Sequence, residues 1–281
     1  SGTDYTETNG VFTFNSGYSD SLYCEMTNTN FPNLTLTSTA FEVPLPKPAI
    51  TMSTTTPVGN SFSFDISANA DNTPIQVDWG DGTTTNYTIG SGSTTITGTL
   101  TDNTVSIYGI GITYFAAYNN NNLTSLDVSN CSMLEWLDCQ TNSLTQLNLT
   151  NNTGLEVLTC LNNQISTLDL SKNTNLIYLH CENNQLSQLD LTNNTSLQSV
   201  YCYGNMFNYS SLPLPAWTAY SYSPQAPLKL AKTEYALNEE VDLSSQLTAG
   251  GNTTVYTWKT VSGDTLVKNV DYTENSGKFT F

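Results

Sequence analysis

The chain carries a fixed internal period. From Leu123 onward it reads as four lines of equal length, LTSLDVSNCSMLEWLDCQTNS, LTQLNLTNNTGLEVLTCLNNQ, ISTLDLSKNTNLIYLHCENNQ and LSQLDLTNNTSLQSVYCYGNM, which begin at Leu123, Leu144, Ile165 and Leu186. One such line cannot bury its own apolar face, so it must stack on a neighbour of the same kind. Each line divides in two. Leu144, Leu147, Leu149 and Asn152 mark the first half, and Leu155, Leu158, Cys160 and Asn163 repeat the spacing in the second. The alternation Leu158-x-Cys160 has period two and turns one strand face inward. Lines stacked ~4.8 Å apart then bring like residues into columns. Asn142, Asn163, Asn184 and Asn205 form one column; Asn152, Asn173 and Asn194 form another, with Cys131 in its first place. These amides are expected to satisfy backbone groups where the coil turns, each net bond contributing ~1 kcal/mol.

This doubled motif resembles the leucine-rich repeat family in its nested 21-residue form, the IRREKO type, from Leu123 to Met206. The resemblance implies a right-handed coil with parallel strands and an inward apolar ladder. Cys139, Cys160, Cys181 and Cys202 recur at one repeat position. A sulfur column could hold a soft metal ion, but zinc sites use C-x-x-C spacings and converging geometry. Disulfides between parallel stacked side chains would be strained. The expectation is free thiols that replace Leu as small buried hydrophobes.

Composition narrows the function classes. With 24 acidic against 7 basic residues and a net charge of −17, the chain lacks the basic patch that nucleic acid or anionic lipid requires. No apolar run approaches the ~18 residues of a membrane helix. At 281 residues the chain is expected to hold two or three domains. Abundant Thr, Ser, Asn and Tyr with scarce Lys and Arg is the profile of a secreted all-β protein. The opening SGTDYTETNG is unlike a signal peptide, which leaves two readings open: a removed leader, or an excerpt from a longer chain.

Residues 1–46 read as strands at 11–14, 22–26 and 34–43, and the proline-rich 44–48 as a stiff linker. Residues 47–109 carry Val77-Asp78-Trp79-Gly80-Asp81-Gly82-Thr83. Asp-Gly between strands is a strong hairpin signal, since glycine accepts positive φ. The WGDGT string resembles the PKD domain, an extracellular immunoglobulin-like sandwich. A turn-shaping role for Asp78 and Asp81 is expected; a calcium role is the alternative. Val105-x-Ile107 precedes Leu126-x-Val128 by one full period, and Ile112, Phe115 and Ala117 precede Leu134, Leu137 and Cys139 by one position more. Residues 101–122 therefore read as an imperfect opening rung that fuses this module to the solenoid at 110–209 and caps it. After Met206 the repeat fails. Residues 210–227 read as an irregular linker, and 228–281 as strands at 228–231, 240–243, 254–260 and 265–268.

The two ends echo each other. Asp271 to Phe281 reads DYTENSGKFTF and Asp4 to Phe14 reads DYTETNGVFTF, eight of eleven positions matching. Placing 228–281 before 12–46 gives one module with Trp258 on a central strand and Cys24 on a later one, similar to the immunoglobulin Trp…Cys order; an earlier Cys is missing, so the usual disulfide is not expected. Residues 1–46 thus read as the C-terminal part, and 228–281 as the N-terminal part, of an immunoglobulin-like module. Half a sandwich exposes edges and an open face. One period of a tandem array, head-to-tail completion between copies, and two separate β-appendages are the three readings; the first two are favoured, with Phe12, Phe14, Phe279 and Phe281 as assembly residues.

Enzyme signatures are missing: G-x-S-x-G, H-E-x-x-H and a phosphate loop do not occur. His180 and Cys181 are adjacent on a strand, so they face opposite ways and cannot act as a nucleophile pair. The outward columns of the cysteine-bearing face are Trp136, Val157, Tyr178, Ser199; then Asp138, Thr159, His180, Tyr201; then Gln140, Leu161, Glu182, Tyr203. Clustered aromatics suit protein and sugar partners. The opposite face carries Asp127, Asn148, Asp169 and Asp190 among hydroxyls and reads as a solvated polar surface, with a divalent cation between aspartates as the alternative. The combined expectation is an all-β protein, a short leucine-rich solenoid flanked by immunoglobulin-like β-sandwich modules. Such combinations resemble bacterial surface adhesins and filament proteins of Bacteroidetes style; Asp20-Ser21-Leu22 and Asp264-Thr265-Leu266 resemble the O-glycosylation motif of that phylum. The function expected is a non-enzymatic extracellular structural or adhesive unit whose partners are further copies of itself and a host protein or glycan. The alternative is a monomeric recognition module using Trp136, Tyr178, His180, Tyr201 and Tyr203. No cofactor is expected.

Overall fold

A computed structural model of the chain describes residues 5–8, 11–14, 21–22, 24–28, 31–37, 41–42, 47–118, 122–213, 218–227, 230, 232, 234–236, 238–249, 252–260 and 262–281; between 5 and 42 it describes side chains only at 24–25 and 35–37. The chain forms two units, Ser1–Pro48 and Ala49–Phe281.

In the first unit, Tyr5–Thr8 and Val11–Phe14 form a hairpin, Ser21–Leu22 pairs with Phe41–Glu42, and Glu25–Asn28 pairs with Phe31–Thr37. The hairpin explains the echo. Its pairs Thr6↔Thr13, Glu7↔Phe12 and Thr8↔Val11 recur at the other end of the chain as Thr273↔Thr280, Glu274↔Phe279 and Asn275↔Lys278. The repeated string therefore encodes one hairpin in one register. The side chains of Phe12 and Phe14 lie outside the described residues.

The second unit begins as two antiparallel sheets. One runs Thr84–Ile89, Thr73–Asp78, Thr104–Gly109, Ile50–Thr54, Leu123–Asp127; the other starts Thr94–Thr99, Ser61–Ala68, Ile112–Ala116. Alternating side chains from both fill a common core, in which Phe64 packs on Trp79 and Phe115 at ring distances of 5.9 and 5.6 Å. At the WGDGT turn, Asp78 Oδ1 accepts from the N–H of Gly80 (2.8 Å) and of Gly82 (3.1 Å). Asp81 Oδ1 accepts from the N–H and hydroxyl of Thr83. Both carboxylates shape the turn. Gly80, at φ +122°, lies so close to Asp102 that an added Cβ would stand 2.5 Å from its amide nitrogen, a place for glycine alone.

The second sheet does not stop at this module. Ile112–Ala116 pairs antiparallel with Ser61–Ala68 on one side and parallel with Trp136–Asp138 on the other; Val157–Thr159, Tyr178–His180 and Ser199–Tyr201 follow in parallel. The expected opening rung is present, with Phe115 opposite Leu137. Val105 and Leu126, expected as stacked neighbours, are instead separated by Ile50–Thr54, since both pair with Met52. An antiparallel strand from outside the repeat has entered the row without breaking its apolar character. One core runs from Ala49 to Phe207.

Inside the coil, the leucine and cysteine columns are buried, and the asparagine columns close the turns. Asn163 Nδ2 donates to the carbonyls of Cys139 (2.9 Å), Cys160 (3.1 Å) and Leu161 (3.3 Å), while its Oδ1 accepts from the N–H of Leu144 (3.0 Å). Asn142, Asn184 and Asn205 repeat the pattern. In the second column, Asn173 Nδ2 donates to the carbonyls of Leu149 and Asn152, and Asn152 and Asn194 do likewise.

Two features were not read from the sequence. Thr141, Asn162, Asn183 and Gly204, one per rung, share left-handed φ of 57°, 54°, 54° and 66°. Asn183 Nδ2 donates to Asn162 Oδ1 at 2.9 Å, so this turn has its own amide contact. And 210–227, expected as linker, contains the strand Ala219–Ser221, which pairs parallel with Ser199–Tyr201 and closes the sheet. It lacks the Leu and Asn signature because it is the last strand and stacks on one side only.

The C-terminal segment forms a three-stranded sheet, Glu240–Asp242, Lys278–Thr280, Thr273–Asn275, over a small core of Val241, Tyr272 and Phe279. Trp258 does not lie on a named strand. Residues 254–260 and 265–268, expected as strands, meet through an isolated bridge, Lys259↔Thr265, and the bond from Leu266 N–H to Trp258 O (2.9 Å). The expected strand at 228–231 falls largely outside the described residues.

Asn163→Ala leaves the Leu144 N–H without its acceptor and removes one of two donors from the carbonyls of Cys139, Cys160 and Leu161, so a loss of about 2 kcal/mol is expected in urea unfolding. Thr141→Asn relieves a β-branched residue at positive φ, and a gain of about 1 kcal/mol is expected in the same measurement.

Candidate functional site

The parallel sheet presents one open face. Strand register places Tyr114, Trp136, Val157, Tyr178, Ser199 and Ala219 in one row, and Ala116, Asp138, Thr159, His180, Tyr201 and Ser221 in the next. The strands are short through the rungs, so each rung offers two outward side chains before it turns. Trp136 is 45% and Tyr178 42% exposed, the open end of this face. Tyr114 meets Trp136 edge-on at 5.9 Å. Tyr201 stacks on His180 at 4.5 Å with an interplanar angle of 19°, and Tyr203 is half-buried. Four of the five residues expected to bind, Trp136, Tyr178, His180 and Tyr201, thus share this face, while Tyr203 lies beyond the strand that ends at Tyr201. Tyr114, absent from the expected set, carried a legible signal: it precedes Trp136 by the same interval that separates Ile112 from Leu134.

Glu182 departs from expectation. It was placed in an outward column, yet it is 5% exposed. The strand ends at His180, so strict alternation stops there and the turn carries Glu182 back beneath the face. Its Oε1 lies 3.3 Å from His180 Nδ1, and its Oε2 has no partner among the described residues. Asp138 accepts from the N–H and side-chain amide of Gln140. Burial nevertheless raises its carboxyl above the usual range, opposed by those bonds and by His180. Two partly desolvated carboxylates, Asp138 in the outward row and Glu182 beneath it, therefore accompany the aromatic rings.

The opposite face is polar. A groove of about 900 Å³ runs along it between Thr124 and Asn193. Its carboxylates are committed to turns: Asp127, Asp169 and Asp190 each accept the N–H two residues on. Those bonds hold Asp169 and Asp190 below the ordinary carboxylate range. Among the described residues, no group of three or more His, Cys, Asp or Glu is placed to hold a metal ion, and no helix is long and apolar enough to cross a membrane.

Solved structures with partial similarity to the chain include two from Listeria monocytogenes. An internalin (inlF) from Listeria monocytogenes str. 4b F2365 is 28% identical over 35% of this chain and 31% of its own, with a TM-score of 0.34. The functional domain of InlJ from Listeria monocytogenes, described as including a cysteine ladder, is 24% identical over 50% of this chain and 38% of its own, with a TM-score of 0.33. This chain therefore spans about a third of the length of each. No protein-family model and no curated protein matches it.

The cysteine column is chemically quiet. Cys131, Cys139, Cys160, Cys181 and Cys202 are buried thiols. Burial pushes Cys202 up to about 11 and Cys131 up to about 12 from the ordinary 9.0, with Cys139, Cys160 and Cys181 higher as well. Thiolates are the reactive form, so alkylation of these five by iodoacetamide at neutral pH is expected only after unfolding. Because these folded values are raised, the stability tied to the protonated thiols is complete below pH 9 and declines through about 11 to 12. Thermal melts from pH 8 to 12 are expected to show that decline, and Cys→Ala at 202 to reduce it.

Proposed function

We propose that this chain is a non-enzymatic adhesive unit of an extracellular bacterial surface protein. In this reading 47–109 is PKD-like, 110–209 a 21-residue leucine-rich solenoid, and 1–46 and 228–281 are immunoglobulin-like pieces. It grips a partner through Trp136, Tyr178, His180, Tyr201 and Tyr203. The observation that carries the reading is the pair of open aromatics, Trp136 and Tyr178, held two rungs apart in one row of a parallel sheet. Ordered aromatics lose little entropy on binding and supply most contact area at hot spots. The thiols and aspartates that could do chemistry are committed to the core and the turns. The carboxylates of Asp138 and Glu182 on this side of the coil, with the net charge of −17, favour a protein partner bearing basic groups over a neutral glycan.

Screening on protein and glycan arrays is the test. Trp136→Ser/Tyr178→Ser, both at exposed positions, is expected to keep the circular dichroism spectrum and weaken the strongest partner at least tenfold, ~1.4 kcal/mol. Unchanged binding would sink the assignment of this face.

The C-terminal sheet favours a second reading, self-association. Val255 and Val270 are 88% and 79% exposed around its small core. In the first unit the same hairpin is followed by four further strands between Ser21 and Glu42. Supplied by another copy, such strands would cover these exposed valines. Sedimentation velocity is expected to show concentration-dependent association of the full chain; a strictly monomeric particle with both ends protected from proteolysis would contradict it.

A further inference from the structure

A pocket of about 340 Å³ lies where the last rung meets the C-terminal segment, lined by the rings of Phe207, Tyr209, Tyr222 and Tyr256 and by Leu212 and Leu243. That volume is at the small end of ligand sites, room for one ring system. Its walls hold no charged side chain, and the polar atoms of three lining residues are committed to the fold. Tyr256 donates its hydroxyl to Leu243 O at 3.1 Å. Gln225 donates to Cys202 O and accepts from Asn205 N–H. Asn208 Oδ1 accepts from the N–H and hydroxyl of Ser210.

Gln246 is the exception. It lines the same pocket, is 5% exposed, and donates through Nε2 to Ser245 Oγ (3.0 Å) and Ser210 Oγ (3.4 Å). Its Oε1 is buried with no partner among the described residues. A buried acceptor left unpaired costs free energy that a donor from a ligand would recover. Aromatic walls with one unpaired acceptor match a flat apolar ring carrying one N–H or O–H. A sugar fits worse, since the Phe207, Leu212 and Leu243 walls offer its several hydroxyls no partner.

We propose that this pocket binds a neutral aromatic ring with a single hydrogen-bond donor, an indole or a phenol, whose donor bonds to Gln246 Oε1. Such a ring can arrive as a free small molecule or as a Trp or Tyr side chain of a bound protein.

Saturation-transfer NMR and calorimetry on the full chain test this with indole and p-cresol as probes, toluene as the ring without a donor, and methyl glucoside as the sugar. Saturable binding of indole and p-cresol is expected, with toluene about tenfold weaker and methyl glucoside silent. Gln246→Leu, checked for folding by thermal melt, is expected to erase the difference between p-cresol and toluene. Tyr222→Ala, at an exposed rim position, is expected to weaken all three rings without touching the core. N-acetyl-tryptophanamide or a Trp-bearing peptide binding more tightly than indole identifies a side chain as the source; the reverse order identifies a free molecule. Absence of saturable indole or p-cresol binding, preference for the glucoside, or indole binding indifferent to both variants would overturn the proposal.

Discussion

The hydrogen bonds from the asparagine side chains to the backbone are the interaction on which the rest depends. A coil that turns twice in every line leaves peptide groups pointing inward at each corner, away from water and from strand partners. Unpaired, each would cost more than a net hydrogen bond contributes. Asn163 answers four of them at once, and it reaches carbonyls in its own rung and in the previous one. The same side chain therefore closes a turn and ties two rungs together. Leucine burial, at ~1.5–3 kcal/mol per side chain, supplies the driving force, but the asparagines decide the shape that burial takes.

That shape has a consequence at each end and on each face. At the N-terminal end the rungs do not need a separate cap, because Ile112–Ala116 and Leu123–Asp127 each pair with a strand of the two-sheet module. At the other end Ala219–Ser221 closes the sheet, and the chain then folds back so that Gln246 and Tyr256 meet Phe207 and Tyr222 around one pocket. The two faces differ in what the turns demand. Where the first half of each line carries an Asp or Asn that accepts a backbone N–H two residues on, the surface is polar and its carboxylates are committed. Where short strands pair in parallel, Asp138 still serves a turn, but Trp136 and Tyr178 in the adjoining row stand open.

Much of this was legible in the sequence, and the reason is the period. Once rungs one period apart must stack, Leu158 over Leu179, the buried cysteines and both asparagine columns follow from position alone. The echo between Asp4–Phe14 and Asp271–Phe281 likewise resolves into one hairpin register. What escaped has no periodic cause or breaks the period. The left-handed corner holds Thr141, Asn162, Asn183 and Gly204, three residue types for one backbone state. The strand Ile50–Thr54 enters the row of Val105 and Leu126 from far earlier in the chain. Glu182 is buried because its strand ends at His180, an ending that alternation does not announce. Gln246 and Ser210 come together from separate segments, so neither stretch alone marks the pocket.

Native-state hydrogen exchange tests the central claim most directly. The N–H groups of Leu123, Leu144, Ile165 and Leu186 donate to the Oδ1 atom of the asparagine that closes the same line rather than to a strand. If those side chains hold the coil together, these amides exchange as slowly as Met52 in the two-sheet core, all with one opening free energy. Fast exchange at these four positions while Met52 stays protected would show that the asparagine columns decorate the turns and that the stack is held by apolar burial alone.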